Sequence, residues 1–228
     1  MKKTLLIAAL LLALVIGCAT DAKAEEERFG EALSLTGTNG KGLEWTLPRF
    51  PAGTEEWDEI NRYYKALAEK LAMVSTETVQ TVTFETKHLS ERYLSVVLSF
   101  REQGGNGEHE HLSADTFALD GLYAGKKLTL SQVLGMEETQ DPSAAAQLAW
   151  DLVWQIAAQE AQNPQSAYLE GLSVQNVQNA FQPETDFYLD ADGNIVFWIA
   201  PGELAGEMAG ILLFPFAPGE LMSAVGEG

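Results

Sequence analysis

The sequence predicts an α+β fold in which antiparallel strands are packed by two long helices, and three patterns support this prediction. The first is a hairpin: Phe187–Leu189 leads into turn residues 190–194, and Ile195–Ile199 leads out of them. Asp and Asn tolerate left-handed backbone dihedrals, and Gly adopts them without steric cost, so the segment between these strands favours a chain reversal. An apolar run at residues 211–216 predicts a third strand of the same sheet.

The second pattern is a set of apolar residues at helical spacing. Residues 57–74 place them three or four positions apart, at Trp57, Ile60, Tyr64, Leu67, Leu71 and Val74. Thr54 and two acids precede this stripe, which is typical of a helix N-terminus because carboxylates stabilise the positive end of the helix dipole. Residues 144–161 show a second stripe. Both helices are therefore expected to pack on one face of the sheet.

The third pattern is the alternation of apolar and polar residues in the middle of the chain. Residues 79–84 and 93–100 predict two strands, and residues 87–90 are expected to reverse the chain between them. The glycine-rich residues 103–107 predict a loop, and residues 108–119 predict a return strand. Together these segments predict an antiparallel meander.

The N-terminus predicts export. Residues 1–17 combine two lysines with an apolar run of signal-peptide length, which is too short for a permanent membrane span. The sequence Val-Ile-Gly-Cys at 15–18 resembles a bacterial lipobox, in which Cys18 is lipidated and becomes the mature N-terminus. We therefore predict an extracytoplasmic protein that is lipid-anchored to the bacterial membrane. The alternative is cleavage after Ala24, which would release a secreted or periplasmic protein.

The mature chain divides into a tether and two further segments. Residues 18–40 are largely polar and predict a flexible, lipid-anchored tether. Residues 41–90 predict an N-terminal segment with the order strand, helix, strand, and residues 91–228 predict a C-terminal domain. Cys18 is the only cysteine, so the fold is expected to hold by packing, without an intramolecular disulfide.

The acidity of the chain limits the classes of partner. The formal net charge is −19 over 228 residues, and removal of a leader with two lysines and no acids takes it to −21. Such a surface repels nucleic acid and anionic lipid head groups, and it favours cationic partners. Nucleic-acid binding is therefore not expected, and membrane contact is expected only through the N-terminal lipid.

Three segments resemble a known family, domain of unknown function 3298. Residues 116–120 and 125–130 resemble the family's segment of phenylalanine, any residue and leucine, followed by glycine, lysine, any residue, leucine, threonine and leucine. Residues 187–216 resemble its closing hairpin and the motif after it. The motif positions here are Pro201, Glu203, Leu204, Ala205, Ala209 and Gly210. Residues 43–74 resemble the smaller companion segment that usually precedes the family domain.

The resemblance implies an extracytoplasmic, non-catalytic α+β module. Better-known members form the lysozyme-binding outer part of anti-sigma-V-type factors and the N-terminal domain of some peptidoglycan deacetylases. Binding residues implied by the resemblance are Pro201, Glu203, Glu207, Gly104 and Gly105. Gly202 and Glu207 stand where the family usually has tyrosines, so a recognition surface built from those tyrosines would differ in this chain.

One cluster has residue types that bind metals. On a strand, His109 and His111 share one face, and two imidazoles at this spacing can bind one Zn²⁺ or Cu²⁺. A competent site needs a third ligand, and His88 is the only other histidine. The alternative interpretation of the cluster is an exposed polar strand end.

The sequence favours adhesion over catalysis. The only cysteine is expected to carry the lipid anchor, and no serine lies in a Gly-x-Ser-x-Gly setting, so no nucleophile is indicated. We predict a non-catalytic lipoprotein, without a cofactor, that binds a protein or peptidoglycan-associated partner at the bacterial envelope. A cationic, lysozyme-like partner is favoured. The alternative is a metal-dependent envelope hydrolase that uses His109 and His111.

Overall fold

The chain is described by a computed structural model for residues 33–75, 79–104, 107–136, 143–163 and 165–225. The predicted signal peptide, Cys18, Ala24 and Gly105 lie outside these residues. Among the helices of the described ranges, none combines the length and the apolar character that a bilayer crossing requires.

Strands and helices both contribute to the described part of the chain, so the predicted α+β class is confirmed. The strands are β1 (Leu33–Thr38), β2 (Leu43–Arg49), β3 (Val79–Leu89), β4 (Tyr93–Gly104), β5 (Gly107–Ala118), β6 (Phe187–Leu189), β7 (Ile195–Ile199) and β8 (Leu212–Phe216). The helices are α1 (Glu55–Met73), α2 (Leu130–Val133), α3 (Ser143–Glu160), α4 (Val174–Ala180) and α5 (Pro218–Val225).

The strands form two sheets. The larger has the order β1-β2-β3-β4-β5, and the smaller has the order β6-β7-β8. The predicted hairpin and its third strand are confirmed, because β7 pairs antiparallel with both β6 and β8. The prediction of purely antiparallel strands is wrong at one place, where β2 pairs parallel with β3. Parallel neighbours need a long crossover, and α1 supplies it.

The two long helices pack on different sheets, which corrects the prediction that they cover one face together. Ile60, Tyr64 and Leu71 of α1 are buried against the larger sheet. The buried face of α3 is made of small residues that allow close approach to the smaller sheet: Ala145, Ala146, Ala149, Val153 and Ala157. Each pairing of a helix with a sheet therefore encloses an apolar core of its own.

Residues 33–38 correct the predicted extent of the tether. These residues form β1, and Leu35 lies opposite Leu47 in antiparallel register. The polar residues beside its two leucines favoured a tether when the segment was considered alone. In the fold, β1 covers an edge of β2 that would otherwise expose unpaired backbone groups.

The predicted reversal at residues 87–90 is also wrong in position. Strand β3 continues to Leu89, and its register with β4 shifts between Thr86 and His88, as at a β-bulge. The turn follows at Ser90, whose hydroxyl accepts a hydrogen bond from the backbone N–H of Tyr93 at 3.1 Å. A bulge adds one residue to a strand, so the alternation breaks before the strand ends.

A buried ion pair joins α1, β5 and the segment after β5. The Asp115 carboxylate is 1% exposed, and it accepts hydrogen bonds from Tyr63 Oη at 2.7 Å and from Lys127 Nζ at 2.6 Å. Lys127 Nζ also donates to the carbonyl of Ala114 at 3.0 Å. Burial, and then the adjacent carboxylate, raise the pKa of Tyr63 far above its usual value, so this phenol remains a donor.

Replacement of Lys127 tests this ion pair. Lys127→Met removes the cation that compensates a buried carboxylate, and we expect it to lower the free energy of unfolding by about 2 kcal/mol. This value is below that of a fully buried pair because the Lys127 side chain is 35% exposed. Urea unfolding followed by circular dichroism measures the difference.

Lys126→Met is the matched control. Lys126 pairs with Glu59 at 3.4 Å in a more exposed position, so we expect a loss below about 0.5 kcal/mol. Equal losses in the two variants would show that the buried pair has no special role in stability.

Candidate binding surface

The two sheets pack against each other through the face of the larger sheet that is opposite α1. Val97 of β4 and Ala114 of β5 contact a cluster from the smaller sheet, formed by Tyr188, Val196 and Trp198. Large aromatic side chains on one sheet therefore meet small or β-branched residues on the other. This contact fixes the position of the smaller sheet beside β5, the outermost strand of the larger sheet.

Hydrogen bonds in the same interface hold the β6–β7 hairpin in register. Ser95 Oγ accepts a bond from the backbone N–H of Leu189 at 3.0 Å and lies 2.9 Å from Thr116 Oγ1. Nδ1 of His88 lies 2.8 Å from the carbonyl oxygen of Asp190. Because a carbonyl oxygen only accepts, Nδ1 of His88 donates this bond. His88 therefore positions the hairpin turn.

A cleft opens where the two sheets diverge. It consists of two cavities of about 260 Å³ and about 140 Å³, and both are lined by Glu110 and Leu112. The larger cavity also contacts Tyr188 and Leu213, and the smaller contacts Trp198. Aromatic and aliphatic walls around a carboxylate form a surface that can accept an amphipathic side chain such as Lys or Arg from a partner.

Glu110 is held in its ionised form. Its carboxylate accepts hydrogen bonds from the hydroxyl of Ser99 on β4 and from Nε of Arg101, its register partner on the same strand, at 3.0 Å. The Ser99 bond is the main cause of a lowered pKa at Glu110, and the Arg101 guanidinium acts in the same direction against the opposing effect of burial. The cleft therefore contains a fixed negative charge.

The structure places His88 away from His109 and His111. In the β4–β5 register His109 lies opposite Glu102, and the His111 ring stacks on Phe100 with centroids 4.6 Å apart. His88 pairs through β4 with Thr116, five residues from His111 along β5, which corresponds to about 17 Å. In the described ranges no group of three or more His, Cys, Asp or Glu could hold a metal ion. Metal binding by His109 and His111 stays a prediction.

The binding residues implied by the resemblance lie in two places. Pro201, Glu203 and Glu207 belong to the connection between β7 and β8, whose ends Ala200 and Ile211 line the smaller cavity of the cleft. Gly104 ends β4, and the contacts of the described residues do not bring it together with this connection. Pro201, Glu203 and Glu207 therefore lie on one connection next to the cleft, and their role in binding stays a prediction.

The connection between β7 and β8 is anchored at its centre and exposed at its tip. Leu204 is fully buried, and its carbonyl accepts a bond from the backbone N–H of Leu169 at 3.0 Å. Gly202 has a φ of +85°, and a Cβ there would lie 3.2 Å from Glu207 Oε1. The two positions that are usually tyrosine in the resembling family therefore lie against each other in this fold.

The sequence analysis did not identify two exposed apolar residues near the cleft. Met208 is fully exposed in the β7–β8 connection, and Leu213, on β8, is 52% exposed. Leu213 alternates with the buried Phe214, so strand periodicity could have identified it as outward-facing. Met208 lies in a 3-10 turn, where no such periodicity applies. We call residues 200–213 together with the cleft the acidic loop surface.

Comparisons with known proteins concern the fold. No family model matches the sequence, and no curated protein matches it. A solved structure described as a member of the DUF3298 family from Bacteroides fragilis is 11% identical, with a TM-score of 0.47, and the similarity covers 84% of this chain and 91% of that chain. A DUF3298 family protein from Pseudomonas aeruginosa is 13% identical, with the same coverage and TM-score. Both bear the name of the family that the sequence resembles.

Titration of Glu110 tests the hydrogen bond from Ser99. The folded chain favours the carboxylate, so the pKa of Glu110 should lie below its ordinary value of 4.5. Its contribution to stability should be complete above pH 4.5 and should decrease as the pH falls through the lowered value. NMR titration of the side-chain carboxyl measures this pKa, and Ser99→Ala should raise it.

Ser113→Ala is the control, since Ser113 lies opposite Leu98 and not beside Glu110 in the β4–β5 register. It should leave the Glu110 titration unchanged. A Glu110 pKa that is the same in Ser99→Ala and in the unmodified chain would contradict the assigned hydrogen bond.

Proposed function

We propose that this chain is a non-catalytic module of the bacterial envelope that binds a cationic protein through the acidic loop surface. The observation that carries the proposal is the combination of exposed apolar side chains and carboxylates around the cleft. Met208 and Leu213 are exposed, and Glu203 and Glu207 lie on the same connection. Protein interfaces of this kind join apolar anchors with a charged rim.

The charges of the acidic loop surface favour a cationic partner. Glu203 and Glu207 are exposed and form no ion pair with the described residues. In contrast, the cations of the cleft lie close to acids, with Lys87 at 2.6 Å from Glu85 and Arg101 at 3.0 Å from Glu110. The net charge of −19 adds a long-range attraction for positively charged proteins.

The chemistry of Glu110 supports binding over catalysis. A general acid needs a raised pKa so that it carries a proton at neutral pH. The hydrogen bond from Ser99 and the Arg101 guanidinium lower the pKa of Glu110 instead. Ser99 donates to this carboxylate, and a carboxylate with a lowered pKa is a weak base for activating a hydroxyl. These groups stabilise a charge that a partner can contact.

Binding to a cationic protein tests the role of the acidic loop surface. With lysozyme as the probe, the chain should bind in calorimetry, and Glu203→Lys/Glu207→Lys should weaken binding about tenfold, because two local attractions become repulsions. Glu44→Lys/Glu69→Lys makes the same change in net charge at exposed positions on β2 and α1. In this control variant, lysozyme binding should weaken by less than about threefold, because only the long-range electrostatic field of the chain changes.

Equal losses in the two charge variants would show that net charge, and not this surface, governs binding. Met208→Ser adds a second readout because it removes an apolar anchor without changing the charge. Its effect should persist at high salt, where the contribution of exposed charges is screened. The absence of lysozyme binding by the unmodified chain would contradict the proposal for this class of partner.

We further propose that Cys18 carries the lipid that holds the module at the membrane. In a bacterial host, the full-length chain should be recovered in the membrane fraction, and Cys18→Ala should move it to the soluble fraction. Mass spectrometry of the mature N-terminus gives an independent readout, since a lipidated cysteine differs in mass from an unmodified terminus. A mature terminus at Glu25 would contradict the proposal and support release after Ala24.

A further inference from the structure

A second candidate site lies far from the acidic loop surface, between α1 and the β1–β2 hairpin. It is an open groove of about 640 Å³. One wall is apolar and includes Leu33, Leu35, Pro48 and Phe50. The other wall is one face of α1, formed by Asp58, Asn61, Arg62 and Lys65, which fall at helical spacing. We call this site the cationic groove.

The groove follows from the different lengths of two strand pairings. Strand β2 pairs with β1 from Glu44 to Arg49, but it pairs with β3 only at residues 43–45. The outer half of the β1–β2 hairpin therefore extends beyond the rest of the sheet. Leu33 and Arg49 lie opposite each other at the end of this extension, where α1 leaves an apolar strip uncovered.

The end of the groove at Phe50 is held rigidly. Asn61 accepts a hydrogen bond from the backbone N–H of Phe50 at 2.8 Å, and its amide donates to the Phe50 carbonyl at 2.9 Å. The Phe50 ring also stacks on Trp57, with centroids 4.9 Å apart. A preformed cavity limits the entropy that a ligand must remove on binding.

The charge of the groove is opposite to that of the whole chain. Three of the fourteen lysines and arginines in the sequence line it, namely Arg49, Arg62 and Lys65, against a single carboxylate from Asp58. Arg62 contacts Glu59 at 2.9 Å, and Lys126 shares that carboxylate at 3.4 Å. In the part of the chain that the structure describes, no ion pair is formed by Arg49 or Lys65.

We propose that the cationic groove binds a free, single-chain amphiphile with an anionic head group, either a carboxylate or a phosphate. The cations contact the head, and Leu33 and Leu35, the accessible residues of the apolar wall, cover the tail. A volume of about 640 Å³ falls within the range of small-molecule sites. A simple anion would leave the apolar wall exposed to water. The head group of a cationic amphiphile would be repelled by Arg49 and Lys65.

This inference is independent of the proposed function, because the two sites share no residues. The groove lies on the α1 face at the β1–β2 edge, whereas the cleft lies on the opposite face beside β5. Variants of one site should therefore change binding at the other site by less than about threefold, through the long-range field alone. Lysozyme binding by each groove variant is the measurement that separates failure of this inference from failure of the proposed function.

Calorimetry with four ligands tests the inference on the full mature chain, each ligand being kept below its micelle concentration. The probes are decanoate, decyl phosphate, decyltrimethylammonium and butyrate. Decanoate and decyl phosphate should bind at least about tenfold more tightly than butyrate, since each buried methylene strengthens binding about fourfold. Decyltrimethylammonium should bind at least about tenfold more weakly than either, because its head is repelled.

Three variants separate the contributions of charge and shape. Arg49→Glu/Lys65→Glu should weaken the binding of both long-chain anions about tenfold. The control Lys41→Glu/Lys70→Glu changes two exposed lysines outside the groove. It should leave the affinity for both long-chain anions within about twofold of the unmodified chain. Ala52→Trp places a large side chain at an exposed lining position and should reduce binding of decanoate and decyl phosphate alike.

Several results would overturn the inference. Equal binding of the anionic and cationic amphiphiles would show an apolar surface without selection for charge. Equal effects of the two charge-reversal variants would show that net charge alone attracts the anions. Retention of full affinity in a folded Ala52→Trp variant would place the ligand elsewhere.

Discussion

Strand β4 is buried on both faces, and most of the molecule is arranged around it. Five consecutive residues, from Leu94 to Leu98, are buried, and they alternate between two surroundings. Leu94, Val96 and Leu98 face the core under α1. Ser95 and Val97 face the smaller sheet. A strand covered in this way cannot shift its register by one residue without exchanging the contents of both cores. Its register with β3 and β5 therefore fixes where the hairpin of the smaller sheet can dock.

The cleft follows from where this burial ends. After Leu98 the side chains of β4 become partly exposed, and Ser99 and Arg101 face the diverging smaller sheet. A carboxylate placed opposite them on β5 needs partners, and the strand register supplies Ser99 and Arg101 to Glu110. Glu110 is thus ionised because β4 leaves the core after Leu98, so that the polar side chains of Ser99 and Arg101 reach its carboxylate. The same geometry exposes Leu213 beside the cleft, because β8 continues past the point of contact.

Local patterns in the sequence predicted the elements better than their pairing. The turn before Asn194 and the stripe of Ile60, Tyr64 and Leu71 carry their information within a few residues, and both were identified. The parallel contact of β2 with β3 depends on α1 crossing over between strands that are distant in sequence, so no local pattern indicates it. Strand β1 was predicted as part of the tether because its strand pairing depends on β2. His88 was considered as a metal ligand, although its role depends on Asp190, which is 102 residues away.

The two candidate sites also differ in how far the sequence alone could indicate them. Pro201, Glu203 and Glu207 lie within seven residues of one another in the sequence, so the sequence indicated that connection, whereas the partners of Glu110 lie on another strand. The sequence did not indicate the cationic groove, because Arg49 and Lys65 line the same cavity only when the β1–β2 hairpin extends past β3. A formal net charge of −19 indicates cationic partners, but it does not reveal that positive charge is in excess at the groove. Screening limits the field of exposed charges to about 10 Å, and β2 and β5 are three inter-strand spacings apart, or roughly 14 Å. Groove and cleft can therefore hold opposite potentials on one small molecule, so the partner preference of each surface is set by its own side chains.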